Sequence, residues 1–394
     1  MKFRALVAFV CGGLAACTPL IGLDHDYSVG SPDSGGQPPS TAGGGSGGLI
    51  GSAGAGTTAG AGGTAGTTDP FPKTLPAGKL VYHRYTTYNN SDSQMFVVSL
   101  PQGTVSAELG AAFGICDPMA GIFSPDGTQL AVTARPKTGP VCPVGMNRSE
   151  LEIYLLDLTT LGSSTPQAFR VTNNTVPDED PQFAPTSNFL LLKHDGHLAK
   201  WILGSPQFTL CSTPNTGTYC YKTSGSEESK PVMSSDESII CYYEKSNSSS
   251  DVYCFDAAQG AGGADIFAIS MPAAAHPNIS EARPMISGNW LYYARWFSQS
   301  DQVDRVYRKP LGDLKGPETP AQFQNDQNEQ AYDYSDPSVV DNDLLLISSD
   351  ATGAGMHDLF AANFSGSGLQ SLDVWVPGLN SKQEELGPSF WRKP

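Results

Sequence analysis

The chain has 394 residues, with 43 Gly, 30 Pro and only 16 % charged side chains, a profile that favours a turn-rich protein over a helical one. Its 23 Lys and Arg face 39 Asp and Glu, for a formal charge of −16. Phosphate backbones and anionic lipid headgroups repel such a chain, so nucleic acid is set aside as a partner and no basic patch is expected to hold a membrane.

The first residues read as an export signal. Lys2 and Arg4 form a charged lead, and Ala5 to Val10 begin an apolar stretch too short to span a bilayer stably. The stretch ends in Leu14-Ala15-Ala16-Cys17, which resembles the bacterial lipobox. The resemblance implies cleavage after residue 16 and lipidation of Cys17, which then contacts the membrane. Thr18, standing where Asp would retain the protein, implies the outer membrane, on its periplasmic or its outer side. Loss of Lys2 and Arg4 leaves 21 basic against 39 acidic side chains, a charge near −18.

From Ser34 to Thr68 there is no charged residue, and the text is mostly Gly, Ala, Thr and Ser. Such a segment buries too little apolar surface to offset its ordering entropy. A flexible coil of that length spans about 30–35 Å. Residues 17–74 are therefore expected to form a lipidated tether and residues 75–394 the folded domain.

In that domain short β-rich runs recur: "KLVYHR" (79–84), "QLAVTA" (129–134), "FLLLKH" (189–194), "SIICYY" (238–243), "WLYYAR" (290–295) and "LLLISS" (344–349). Each is followed by a second run with an aromatic near its start, such as "IYLLDL" or "VYCFD". A third, shorter segment precedes five of them: "GIF" at 121, "PQF" at 181, "PVM" at 231, "PMI" at 284 and "PSV" at 337; "PSF" at 388 stands alone. The intervals are 60, 50, 53, 53 and 51 residues. Runs of β-branched and aromatic residues bounded by Gly, Pro, Asn, Asp and Ser read as strands, and three to four strands per repeat read as propeller blades. The first repeat lacks its leading strand and the C-terminus supplies one, so joining them closes an all-β, six-bladed propeller and removes the exposed edges. A seven-bladed ring and a β-sandwich array are the alternatives.

The pattern "GIFSPDGTQLAV…EIYLLDL", with "RVTNNTVPDEDPQFAPTSNFLLL" in the next repeat, resembles the TolB-like six-bladed propeller with its WD40-like repeats over about residues 78–394. The separate N-terminal domain of TolB is absent. The turn Ser124-Pro125-Asp126-Gly127 is matched in later repeats by "APTS" (184–187), "SSDE" (234–237), "SGN" (287–289) and "VDND" (340–343). Turn-forming character persists there and serine does not, so Ser124 reads as punctuation rather than as a nucleophile.

Blade topology then assigns faces. Turns of the Ser124–Gly127 kind lie on one face, here called lower. Loops leading into each blade, and loops between second and third strands, lie on the upper face. Six cysteines remain beyond Cys11 and Cys17, an even number that suggests disulfides in an exported chain. Topology pairs Cys116 with Cys142 on the upper face, Cys241 with Cys254 across a hairpin, and Cys211 with Cys220 in a local loop. No CxxC pair occurs, which argues against zinc.

The residues before the short inner segments line the channel mouth: Ala120, Asp180, Lys230, Arg283, Asp336 and Gly387. Asp180, Lys230, Arg283 and Asp336 are the candidate binding residues, with a set of solvated salt bridges as the plainer reading. Asp178, Glu179 and Asp180 lack EF-hand spacing. His194 and His197 flank Asp195-Gly196, a two-residue hairpin turn, and two ligands do not make a metal site. The loops 296–304 and 349–358 offer further contacts. No GxSxG elbow precedes a helix, and no HExxH occurs. The expectation is a non-catalytic, monomeric, lipid-anchored module binding an envelope protein, without metal or cofactor. The alternative is a glycan-binding protein or a channel-centred lyase, hydrolase or dehydrogenase.

Overall fold

The computed structural model describes residues 71–86, 92–143, 145, 148–204, 227–245, 250–257, 267–268, 280–296, 304–325, 332–341, 343–351, 357–366 and 368–394. The predicted leader, Cys17 and the tether through residue 70 lie outside them, as do Cys211 and Cys220, residues 297–303 of the loop 296–304 and residues 352–356 of the loop 349–358. Among the described residues no helix is long and apolar enough to cross a membrane.

The strands form six antiparallel sheets. Blade 1 holds β1 (Gly78–Tyr85), β2 (Gln94–Leu100) and β3 (Thr104–Val105). Blade 2 follows a short helix α1 (Leu109–Phe113) and holds β4 (Ile115–Phe123), β5 (Gln129–Pro136), β6 (Glu152–Asp157) and β7 (Ala168–Arg170). Blade 3 holds β8 (Asp178–Phe183), β9 (Phe189–His194) and β10 (His197–Ile202). Blade 4 holds β11 (Glu227–Met233), β12 (Ile239–Lys245), β13 (Ser250–Asp256) and β14 (Phe267–Ala268). Blade 5 holds β15 (Ser280–Ser287), β16 (Trp290–Trp296), β17 (Arg305–Pro310) and β18 (Thr319–Pro320). Blade 6 holds β19 (Tyr334–Val339), β20 (Leu344–Ser349), β21 (Asp358–Asn363) and β22 (Leu369–Ser371). The last strand, β23 (Glu384–Arg392), pairs with β1 and completes blade 1 in the order β23-β1-β2-β3. The inner strands β4, β8, β11, β15, β19 and β23 stand side by side around the axis, closing the ring as the repeat arithmetic predicts.

The core explains why the second strands read as unbroken apolar runs. Strand side chains alternate between faces, and both faces of a blade pack on a neighbour. On β12, Tyr242 turns toward blade 3 while Cys241 and Tyr243 turn toward blade 5. On β16, Tyr292 packs on blade 6 and Leu291 and Tyr293 on blade 4. The buried residues accordingly fall into six clusters, one for each interface between neighbouring blades.

Two of the expected disulfides are present. Cys116–Cys142 ties the start of β4 to the loop after β5, and Cys241–Cys254 joins residues directly opposite on β12 and β13. The Asp195-Gly196 turn has φ of 47° and 81°, and His194 and His197 pair across it.

The Ser124–Gly127 turn is structural. Ser124 Oγ donates to Asp126 Oδ1 at 2.6 Å and accepts the Gln129 N–H at 2.9 Å. Hydrogen bonds from Ser124 and the Thr128 amide hold the Asp126 carboxyl below its usual range. Ser234 and Asp236 repeat the arrangement in blade 4. The blade 2 turn also receives blade 1: Trp391 Nε1 on the closing strand donates to Pro125 O at 2.9 Å, and Lys79 Nζ on β1 donates to Gly127 O at 2.6 Å.

Candidate functional site: a charged ring in the channel

Every inner strand carries an irregularity at the same place. The pairing register shifts at Met119/Ile122, Glu179/Gln182, Ser229/Val232, Ala282/Met285 and Ser335/Ser338 on the strands leading blades 2 to 6, and at Val81/His83 opposite β23. In five strands the cause is legible: a proline (181, 231, 284, 337, 388) cannot donate to the ladder, so the strand bulges. The residue before the bulge takes a left-handed conformation: Ala120 (50°), Asp180 (53°), Lys230 (47°), Arg283 (56°), Asp336 (49°) and Gly387 (57°).

These six are the residues expected at the channel mouth, but the structure moves them. They lie inside the inner strands rather than ahead of them. The reason is that each strand begins two to five residues before its bulge, and in β8 and β11 those residues are the polar "DED" and "EES", which carry no apolar signal.

The bulges bring the side chains of Lys230, Arg283 and Asp336 together, and the Asp180 carboxylate meets the Lys230 backbone. Lys230 Nζ lies 3.4 Å from Asp336 Oδ1, and Arg283 Nε lies 3.2 Å from the same oxygen. Lys230 is on blade 4 and Asp336 on blade 6, so their contact reaches past blade 5. The Lys230 amide donates to Asp180 Oδ2 at 3.1 Å. Asp304 backs the ring, 3.3 Å from Arg283 Nη1 and accepting from Ser335 Oγ at 2.8 Å. At the equivalent positions blades 1 and 2 place the uncharged Gly387 and Ala120, with the His83 ring against Gly387, so the charges of the ring lie on the side of blades 3 to 6. With Asp304 the assembly holds three carboxylates and two cations. It can orient a polar or charged group, and its side chains range from the 3 % exposed Arg283 to the 23 % exposed Lys230.

A second layer lies above it and was missed in the sequence. Acids near the start of inner strands meet bases near the end of second strands: Glu179 with Lys193, Glu281 with Arg295, Glu385 with Arg84, and Asp117 with Arg135. The signal was present in the Arg that ends "KLVYHR" and "WLYYAR" and in the Lys next to the end of "FLLLKH". Arg148 joins Glu179 to Glu227 at 2.7 and 2.6 Å, linking blades 3 and 4. Burial alone would raise the Glu227 carboxyl, but Lys193 and Arg148 outweigh it and hold it down at about 2. Asp178 accepts from Asn174 and lies 2.6 Å from His194 Nδ1. Asp178, Glu179 and Asp180 therefore serve separate partners. Among the described residues no group of three or more His, Cys, Asp or Glu is arranged to hold a metal ion.

On the lower face a groove of about 670 Å³ runs between blades 2 and 3, bordered by Leu155, Phe169 and Trp201 with Gln129, Gln167 and Asn188. Phe169 is 58 % exposed, and its ring centroid lies 6.3 Å from that of Trp201.

A six-bladed β-propeller closed by its own last strand, with a charged ring in the channel, is the class that this geometry defines. Within it the chain is similar to TolB from Acinetobacter baumannii, at 14 % identity and a TM-score of 0.52, over 79 % of this chain and 66 % of that one. It is also similar to a chain of a nidogen/laminin complex, at 7 % identity and a TM-score of 0.51, over 80 % and 99 %. At these identities the likeness concerns the fold. No family model matches the sequence, and no curated protein matches it.

Proposed function

We propose that this protein is a lipid-anchored binding module of the bacterial cell envelope. Residues 1–16 act as the export signal, Cys17 carries the lipid at the outer membrane, residues 17–74 are the tether and residues 75–394 the propeller. The upper face docks an envelope protein, and Asp180, Lys230, Arg283 and Asp336 orient it without catalysis, metal or cofactor. The observation that carries this reading is the ring itself: four charged residues hold a backbone conformation that glycine adopts more easily, and the side chains of Lys230, Arg283 and Asp336 converge. TolB-like and nidogen/laminin neighbours fit a propeller used for protein contact.

The test is made on the full chain, expressed with its leader in a Gram-negative host. Metabolic labelling with an alkynyl fatty acid is expected to mark the wild type and not Cys17→Ser. Crosslinking in the envelope is expected to capture a protein, and Lys230→Gln and Asp336→Asn to lose it while remaining folded. Undiminished capture by both variants would remove the ring from the reading.

The exposed Phe169 beside Trp201, with three amide side chains around them, favours one second reading, glycan binding at the lower groove. Retention on a glycan array that Phe169→Ala abolishes, without any captured protein, would establish it instead.

A further inference from the structure

Closing the ring brings together cations from the two ends of the folded chain. Strand β1 starts, and β23 ends, on the lower face, where Gly78 pairs with Arg392 and the Ala77 carbonyl accepts the Lys393 N–H at 2.9 Å. Residues 71–77 cross the lower end of blade 1 on the way in. Leu75 is buried in the seam between blades 6 and 1, and the Phe71 ring centroid lies 6.4 Å from that of Trp375. Lys73, Arg392 and Lys393 are exposed here, and Lys79 stands behind them on β1, donating to Gly127 O. Neither 71–81 nor 386–393 contains an acid. No run of bases in the sequence announces this patch, because strand closure assembles it.

These charges are not used by the fold. Arg84, Arg135, Arg148 and Arg295 each pair with a carboxylate, whereas among the described residues Lys73, Arg392 and Lys393 enter no ion pair. The acids in the flanking lower turns are held by their own neighbours: Asp126 by Ser124 and Thr128, Asp341 by the Asp343 and Leu344 amides, and Asp343 by Ser365. A carboxylate at Pro394 would remove one charge and leave the patch cationic. Phe71, Trp375, Phe390 and Trp391 frame it, each half-buried against the core. Such rings beside Lys and Arg suit the boundary between water and lipid headgroups. The acids of the second layer stand at the other end of the strands. An eight-residue strand such as β1 is about 26 Å long, against a Debye length of about 8 Å at physiological salt, so their repulsion is screened at a surface that the lower face meets.

We infer that the lower face of blade 1 rests on an anionic phospholipid bilayer through Lys73, Arg392 and Lys393, with the upper face turned away from the lipid. Residues 17–70, the proposed tether, join the propeller on this same face. The contact goes beyond the anchoring proposed for Cys17 and does not require the lipid there. It also leaves the upper face open to its partner.

Lysine labelling tests it. The full chain is mixed with vesicles of phosphatidylcholine, with or without about a third of phosphatidylglycerol, and treated with a water-soluble amine-reactive reagent. Each Lys or Arg at an anionic surface strengthens contact about fivefold. Labelling of Lys73 and Lys393 is therefore expected to slow roughly tenfold on anionic vesicles and not on neutral ones, while the exposed Lys137 and Lys382 of the upper face keep their rates. Arg392→Gln should cut the slowing to about twofold. Salt at about 0.5 M should do the same, and it carries the test with the wild type if Arg392→Gln does not fold. Whether Cys17 carries a lipid is read separately by the fatty-acid labelling above, so the two readings can fail independently. Equal rates on the two kinds of vesicle would overturn the inference, as would equal slowing at Lys137 and Lys382. Slowing by soluble heparin and by neither vesicle would assign the patch to a soluble polyanion instead.

Discussion

Gly127→Ala probes ring closure from the lower face. Gly127 has φ +67°, and a Cβ there would stand 2.4 to 2.6 Å from three atoms of the Trp391 ring. The left-handed backbone alone costs an L-residue about 1–2 kcal/mol. The overlap must also move Trp391, whose indole N–H bond to Pro125 O is worth about 1 kcal/mol and whose packing adds a similar amount. The total is about 3–4 kcal/mol. Gly114 supplies the control: its φ is +68°, and nothing lies within 4 Å of its hypothetical Cβ. Gly114→Ala should cost about 1–2 kcal/mol, the backbone part alone. Equilibrium denaturation of both variants isolates the contact. Trp391→Ala together with Gly127→Ala should recover the difference, giving a coupling of about 1–2 kcal/mol. Equal losses in the two single variants would refute the claim that Trp391 seats on this turn.

Four further outcomes follow from named contacts. The double variant Cys116→Ser/Cys142→Ser opens a link between residues 26 apart and should lose about 3–4 kcal/mol, seen as a lower denaturation midpoint than that of the reducing-agent-free wild type. Glu227, held at about 2 by Lys193 and Arg148 against the effect of burial, contributes stability that is complete above the ordinary carboxylate range and lost as pH falls toward 2. Glu227→Gln should therefore flatten the acid limb of a stability–pH curve and leave its alkaline limb alone. Ala120→Gly relieves a left-handed alanine and should be neutral or stabilising by about 0.5–1 kcal/mol in thermal unfolding. Glu237 accepts bonds from the Thr186 and Ser187 amides across the blade 3–4 boundary, so Glu237→Ala should lower the melting temperature while Glu237→Gln recovers part of the loss.

Much of this architecture was legible because the repeat unit is short and its strongest run is buried on both faces. Residues such as Leu190 to Leu192 or Leu291 to Tyr293 must be apolar whichever neighbour they meet. The Ser124–Gly127 turn set the phase, the phase predicted Cys116–Cys142, and the register of a local hairpin predicted Cys241–Cys254. Other features left no such trace. The outermost strands β3, β18 and β22 have two or three residues, too few to show a period of two. Helix α1 occupies a loop and owes its ends to Glu108, whose carboxylate accepts from the Gly110 and Ala111 amides, and to left-handed Gly114. The inner strands were read one half short, because proline followed by an apolar residue looks like a strand start. Pairs such as Glu179 with Lys193 need a register to be seen, and composition carries none.

The ring residues also bear on whether the channel is built for closure or for contact. A ring meant only to pass the bulge would favour glycine at every position, as at Gly387, because each non-glycine residue there costs about 1 kcal/mol. Charges at four of six positions run against that preference. If their ion pairs repaid the strain, breaking one would cost about 3–5 kcal/mol, the price of a buried pair losing a member. Two observations argue for less. Lys230 is 23 % exposed and stays hydrated, and Arg283 keeps Asp304 after losing Asp336. Asn tolerates the left-handed backbone and keeps the shape of Asp. Asp336→Asn should therefore cost no more than about 1–2 kcal/mol while capture of the envelope partner is lost. A loss of stability in the higher range, with capture intact, would make the ring a structural brace and send the search for the docking surface to the loops above it.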